Sequence, residues 1–217
     1  MKHIYAVVGL GAFGSTIALE LSRLGHDVIG IDLNASLVSD IADKITQAVI
    51  ADARDEKVLR DLGVHECDGV VIAIGEDIEA NILVTLIVKS MPKPKVWAKA
   101  LNPNHHKILE KLGSDHIVHP KHEMGLRLAR SMVYPEVMDY ISLGHDQFIV
   151  ALRASERLAG QDSSALHLTE NQLQPLLIKR LDQEVAVLPP PQYQFRLHDK
   201  IVLFGTLGDL RKITKYL

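Results

Sequence analysis

Cysteine is nearly missing from this chain: Cys67 is the only one in 217 residues. That excludes an internal disulfide and suits a reducing compartment. With no thiolate-stabilising signature around it, Cys67 reads as a small buried packing residue. Aromatics are scarce at 5% and the net charge is −3. A nucleic-acid binder would need a basic stripe or a stacking platform, so no nucleic-acid partner is expected. Long apolar runs are missing too, since none approaches the roughly 18–20 residues that span a bilayer. The opening Met1-Lys2-His3-Ile4-Tyr5 runs straight into a strand pattern, which predicts no signal peptide. Catalytic signatures are equally absent: there is no Gly-x-Ser-x-Gly, no Walker loop and no Cys-x-x-Cys. His122-Glu123 begins a zinc-type pattern, but Leu126 stands where the second histidine would be. The other members of that histidine group, His105, His106, His116 and His119, read as polar surface and caps. No catalytic and no metal-ligating residue is nominated.

What the chain has is regular alternation. Strand-like runs at 4–8, 27–32, 47–51, 69–74, 95–100 and 116–119 are separated by helix-period stretches over about 13–24, 33–43, 55–63, 77–90 and 102–112. Asp55 and Asn102 sit where helix caps belong, and Pro103 occupies a first turn. Strands apolar on both faces, joined by helices, predict a doubly wound parallel sheet of the Rossmann type, an α/β fold. After Pro120 the pattern changes. Met124, Leu128 and Met132 recur at helical spacing over about 121–133, and Tyr134-Pro135 interrupts them as a candidate hinge. Beyond lie strand-like runs at 147–153, 173–181, 183–188 and 200–206, a Pro-Pro-Pro loop at 189–191 and a closing helix over 207–217. The reading is two domains, 1–135 and 136–217, the second a small α+β lobe.

One motif carries chemistry. Gly9, Gly11 and Gly14 form Gly-x-Gly-x-x-Gly after the first strand and at the opening of a helix, and Asp32 ends the next strand about 20 residues later. Gly9 permits a tight turn, Gly11 lets backbone N–H groups approach a pyrophosphate, and Gly14 lets helix and strand pack closely. Asp32 can accept both ribose hydroxyls, whereas a 2′-phosphate would face its carboxylate with no adjacent arginine. ADP, ATP or NAD(H) therefore fits, and NADP does not. Asp52, Gly75 and Glu76 follow later strands into the same crevice, and Lys99 is the one cation placed at a strand end. With Leu10, Ala12, Phe13, Leu33, Ala53, Ala73 and Ile74 these make up the candidate cofactor-binding residues. The residues themselves leave three readings open: a ligand-gated regulatory subunit, a small NAD-dependent reductase and a nucleotide sensor of another partner. A reductase usually brings a sizeable substrate domain, and roughly 80 residues is lean for that.

The stretches "GLGAFGSTIALELSRLGHDVIGID", "VVIAIGEDIEANILVTLIVK" and "VWAKALNPNHHKILEKLGSDHIVHPKHEMG" closely resemble the cytosolic regulatory subunits of Trk/Ktr potassium-uptake systems. Such proteins have an RCK N-lobe and an RCK C-lobe, and the resemblance extends over essentially the whole chain. It implies a homo-oligomer, from dimer to octameric ring, docked under a membrane-embedded potassium channel or transporter subunit. The chain would then be cytoplasmic and peripherally attached to the inner face of the membrane. Nucleotide binding would change the ring's conformation and control ion flux without breaking a bond. Two positions depart from the family pattern. Where Ktr-type members commonly carry arginine in the phosphate turn, this chain has Ala12, and their acidic residue after His-Pro is Lys121. The departures leave a divalent cation at the terminal phosphate open and nominate Lys121 as a second phosphate-side cation. Relatives that bind cyclic-di-AMP tend to carry a basic residue where this chain reads "HLTENQ" (167–172), so Thr169 and Glu170 argue against that ligand.

Overall fold

The computed structural model describes residues 1–133, 137–180 and 193–213. The chain divides into two units, Met1–Glu123 and Met124–Leu217. The division falls inside a helix that the sequence reading assigns whole to the first domain.

The first unit alternates strand and helix: β1 (Ile4–Val8), α1 (Ala12–Arg23), β2 (Asp27–Asp32), α2 (Ala35–Ile41), β3 (Gln47–Ile50) and α3 (Glu56–Asp61). It continues with β4 (Gly69–Ile72), α4 (Ile78–Lys89), β5 (Lys95–Lys99), α5 (Pro103–Lys111), β6 (His116–Val118) and the start of α6 (Pro120–Val133). All six strands pair in parallel in the order β3-β2-β1-β4-β5-β6. This is the Rossmann order, with its reversal between β1 and β4. Every residue of β4 is buried, as a central strand covered on both faces requires. One core contains Val7, Leu10, Ala18, Val38 and Ile41 against α1 and α2. The other contains Leu59, Ile72, Val84, Val88 and Leu109 from α3 to α5. Cys67 lies fully buried in the second core, and burial pushes its thiol pKa up to about 11. It is an inert packing residue, as expected.

Local chemistry fixes where the helices begin. Asn34, Asp55, Asp77 and Asn102 cap α2, α3, α4 and α5 respectively, each by accepting a first-turn N–H. The predicted caps at Asp55 and Asn102 are both present.

In the second unit, β7 (Val137–Gly144), β8 (Gln147–Arg153), β9 (Gln174–Lys179) and β10 (Lys200–Thr206) form an antiparallel sheet in the order β7-β8-β10-β9. β8 and β10 alternate inward and outward residues. Phe148, Leu152, Phe195, Ile201 and Leu203 pack there with Leu210 and Ile213 of α7 (Leu207–Ile213). Buried Asp199 organises one corner, accepting the Tyr193 hydroxyl at 2.8 Å and the Arg196 N–H at 2.9 Å. The Rossmann-like sheet with a small α+β lobe agrees with the sequence reading, except that β7 was not anticipated. Its ladder with β8 shifts register twice, so its apolar residues do not alternate with period two. The expected hinge at Tyr134-Pro135, the strand at 183–188, the triple proline at 189–191 and the last residues of the closing helix lie outside the described residues.

Candidate functional site

The carboxyl ends of β1, β2, β3, β4 and β5 open onto a cleft of about 720 Å³, a volume suited to a small-molecule cofactor. It lies at the topological switch point, where open α/β sheets take their ligands. Of the sequence-nominated residues, Gly9, Gly11, Ala12, Phe13, Asp32, Leu33, Asp52 and Ala53 line it. So do Ala73, Ile74, Gly75, Glu76, Lys99 and Lys121. Leu10 and Gly14 do not: Leu10 is buried in the core beside β1, and Gly14 faces the turn. Each still shapes the wall.

The wall is built from backbone constraints. Gly9 has φ +92°, a left-handed conformation that favours glycine, and a Cβ there would stand 2.9 Å from the Ile74 nitrogen. A Cβ on Gly14 would stand 1.8 Å from the Gly9 carbonyl oxygen, so α1 can approach the turn only without one. Gly11 is different. Its φ of −61° is open to any residue, and a Cβ there would meet nothing within 4 Å. The space beside Gly11 is therefore open. Gly11 is also the N-cap of α1, and no side chain caps that helix. The first-turn N–H groups and the dipole of a 12-residue helix thus face the cleft wall without a side-chain acceptor. A pyrophosphate fits this cradle.

Asp32 is tied into the turn. Its Oδ2 accepts the Leu10 N–H at 2.6 Å, and Oδ1 accepts the Asn34 N–H at 2.8 Å. Each oxygen keeps a further lone pair for a ligand hydroxyl. At the neighbouring strand end Asp52 and Arg54 form a bidentate ion pair, with a shortest distance of 2.7 Å. Arg54 holds the Asp52 carboxyl below the usual range, and Asp52 raises the Arg54 guanidinium. Arg54 corrects one part of the sequence reading, which saw no arginine near Asp32. The arginine does line the cleft, but its guanidinium is committed to Asp52. Spacing brings Asp52 and Ala53 of the same segment to the crevice, but not the direction of the Arg54 side chain or its pairing with Asp52, which the fold of the loop sets.

Two lysines line the cleft, Lys99 at its strand end and Lys121 at the start of α6, the two cations that the sequence nominates. Lys99 Nζ sits 5.6 Å from the Phe13 ring centroid, within cation–π range. It also lies 2.5 Å from where a Cβ on Gly75 would be. Burial, and then the charge of Lys121, push the Lys99 ammonium below the ordinary lysine range, against a smaller opposing pull from Glu76. Asn34, Leu37, Asp77, Ala80, Val84 and Pro120 also contribute to the lining. Asp77 and Asn34 are legible only as caps, and the apolar residues only as core.

His116 and His122 are exposed, as read, but His105, His106 and His119 depart from the surface-and-caps reading. His105 is 1% exposed, and burial, then His119, lower its pKa. His106 Nδ1 and His119 Nε2 lie 2.8 Å apart. Their rings are nearly parallel with centroids 4.9 Å apart, and the contact joins α5 to the residue before α6. His116 stacks on Trp97. Among the described residues no group of three or more His, Cys, Asp or Glu could hold a metal ion. None of the described helices is long and apolar enough to cross a membrane.

A TrkA-N domain model matches residues 5–120. The chain is 36% identical over 208 residues to the Ktr system potassium uptake protein A of Bacillus subtilis (strain 168), covering 96% of this chain and 94% of that protein. It is also 36% identical over 215 residues to protein C of the same system and organism, covering 99% and 97%. The GsuK channel bound to NAD superposes with a TM-score of 0.57 at 20% identity over 99% of this chain and 38% of that one. That likeness shows the fold.

The lowered Lys99 pKa has a measurable consequence. Between that pKa and the ordinary 10.5, the unfolded chain holds more protons at Lys99 than the folded one. The ligand-free protein therefore gains stability from this residue as pH rises through the window. Affinity for a phosphate runs the other way and falls as the ammonium is lost. Calorimetric titration of ADP at rising pH below 10.5 should show declining affinity in the wild type. The decline should flatten in Lys99→Arg, whose side chain stays charged. An equal decline in both would remove Lys99 from the phosphate side.

Proposed function

The chain belongs to the Trk/Ktr potassium uptake family with its TrkA-N domain, and we propose that it is the nucleotide-sensing regulatory subunit of a potassium channel or transporter. The observation that carries this reading is the cleft at the switch point, where the glycine turn, Asp32, Lys99 and Lys121 surround one volume. Such a wall supports adenine nucleotides, ADP or ATP or NAD(H). The Asp32 carboxylate disfavours a 2′-phosphate, and Arg54, paired with Asp52, does not offset it. The role needs binding and a change of shape, with no bond made or broken. Ligand binding gates only through a difference in affinity between two states of the assembly. The groups at the phosphate side are the ones able to supply that difference.

In this reading residues 1–135 bind the nucleotide and 136–217 form the regulatory lobe. The subunit assembles with copies of itself, from dimer to octameric ring, on the cytoplasmic face of its membrane-embedded partner. The exposure of Met124, Leu128 and Met132 along α6 supports a contact between subunits.

Two experiments test this. Wild-type protein should bind NADH more tightly than NADPH by about tenfold or more, about 1.4 kcal/mol. Equal affinities in calorimetry would remove Asp32 as the ribose-side selector. Light scattering should find an oligomer that Leu128→Asp breaks down, because a charge buried without a partner costs several kcal/mol. The variant should still retain nucleotide. An unchanged oligomer in Leu128→Asp would take α6 out of the interface.

A further inference from the structure

Asn81 is completely buried, an unusual place for an amide unless its hydrogen bonds hold something in place. It sits in the first turns of α4, beside Ala80, which lines the cleft. Its Nδ2 donates to the Ile74 carbonyl at 2.9 Å and to the Lys99 carbonyl at 3.3 Å. Both acceptors are main-chain oxygens, so the nitrogen's identity is fixed by the contacts. The paired residues of the β4–β5 ladder end at Ile72 and Ala98. The amide thus joins the two segments just past their own ladder, where Lys99 is still paired with Val118 of β6 on its far side while the Ile74 side lies beyond the ends of β4 and of its ladder with β5. The two carbonyls belong to Lys99 and to the residue before Gly75. Lys99 and Gly75 are the residues whose close approach places the Lys99 ammonium against the cleft wall. The Asn81 main-chain carbonyl accepts the hydroxyl of fully buried Thr85 at 2.7 Å, and its side-chain Oδ1 is buried with no partner among the described residues, so the amide is held through Nδ2 alone.

We propose that Asn81 is a positioning residue for the phosphate side of the cleft: its amide clamps the main chain at Ile74 and Lys99 and so fixes where the Lys99 ammonium stands. Asn81 does not line the cleft and touches no ligand. Its effect passes through Lys99, so it acts on the phosphate-dependent part of affinity and leaves the adenosine part alone. This rests on the reading that the cleft takes an adenine nucleotide.

The test uses the full chain and four proteins: wild type, Asn81→Ser, Lys99→Met and the double variant. ADP is titrated by calorimetry, and adenosine at millimolar concentration by chemical-shift changes. Asn81→Ser should weaken ADP by about tenfold, while leaving adenosine within about twofold of wild type. In the Lys99→Met background, Asn81→Ser should have no further effect on ADP, since the group it positions is gone. If Asn81→Ser does not fold, as judged by circular dichroism, Asn81→Gln carries the same comparison with the amide displaced by one methylene. Equal losses for ADP and adenosine, an undiminished effect in the Lys99→Met background, or unchanged ADP affinity would each overturn the assignment. Wild type that binds neither ligand would contradict the nucleotide reading itself, and this assignment with it.

Discussion

The cleft depends on one hydrogen bond across the sheet's end, from the Leu10 N–H in the glycine turn to Oδ2 of Asp32 at 2.6 Å. It links the end of β2 to the loop between β1 and α1, one residue beyond the main-chain bond from the Gly9 N–H to the Ile31 carbonyl. A carboxylate accepting main-chain N–H groups forms a charge-assisted bond, roughly twice as strong as a neutral one. The same side chain that would select a ribose therefore also holds the turn that would select a phosphate. Ribose selection and turn geometry are not separable properties here. The close approach of Gly14 to Gly9 fixes the other side of the turn. Between these two constraints the wall at Gly11 is left open.

Charge is distributed unevenly around that opening. At the β3 end, Asp52 and Arg54 neutralise one another. The capping aspartate Asp77 is occupied by the Ala80 N–H. At the phosphate side the charge of Lys121 adds to burial in lowering the Lys99 pKa, with only the smaller pull of Glu76 in opposition. An anion placed there relieves the repulsion and gains from both ammonium groups, whereas a neutral ligand gains from neither. The departure at Ala12 and Lys121 from the usual family residues has a physical meaning here. Positive charge at this wall comes from Lys99 of β5 and Lys121 of α6, and not from position 12 of the turn.

Much of this was legible in the sequence, for reasons that are local. The parallel sheet follows from apolar strands and capped helices, and Asp55 and Asn102 cap where their position before a helical pattern says they should. The glycine spacing and Asp32 locate the cleft because the βαβ unit has a nearly fixed geometry. What escaped was set by tertiary contacts. Arg54 follows Asp52 and Ala53, which spacing does bring to the cleft, but the direction of its side chain and its ion pair with Asp52 are set by the folded loop. His105 is buried and His106 meets His119 because α5 lies against the strand that precedes α6, which no spacing within either segment reveals. β7 was hidden by its two register shifts, which break the alternation that identifies a half-buried strand. Asn81 carries no motif at all, since its role lies in reaching two carbonyls at the ends of different strands.

The central claim is that the volume beside Gly11 belongs to a phosphate group. It is tested most directly by thermal unfolding of wild type and Gly11→Val with and without saturating ADP. Because a Cβ at Gly11 meets nothing within 4 Å and its φ is ordinary, the variant should unfold within a few degrees of wild type when both are free. ADP should raise the midpoint of wild type and leave Gly11→Val unmoved. An equal rise in both proteins would show that the phosphate lies elsewhere and would contradict the account.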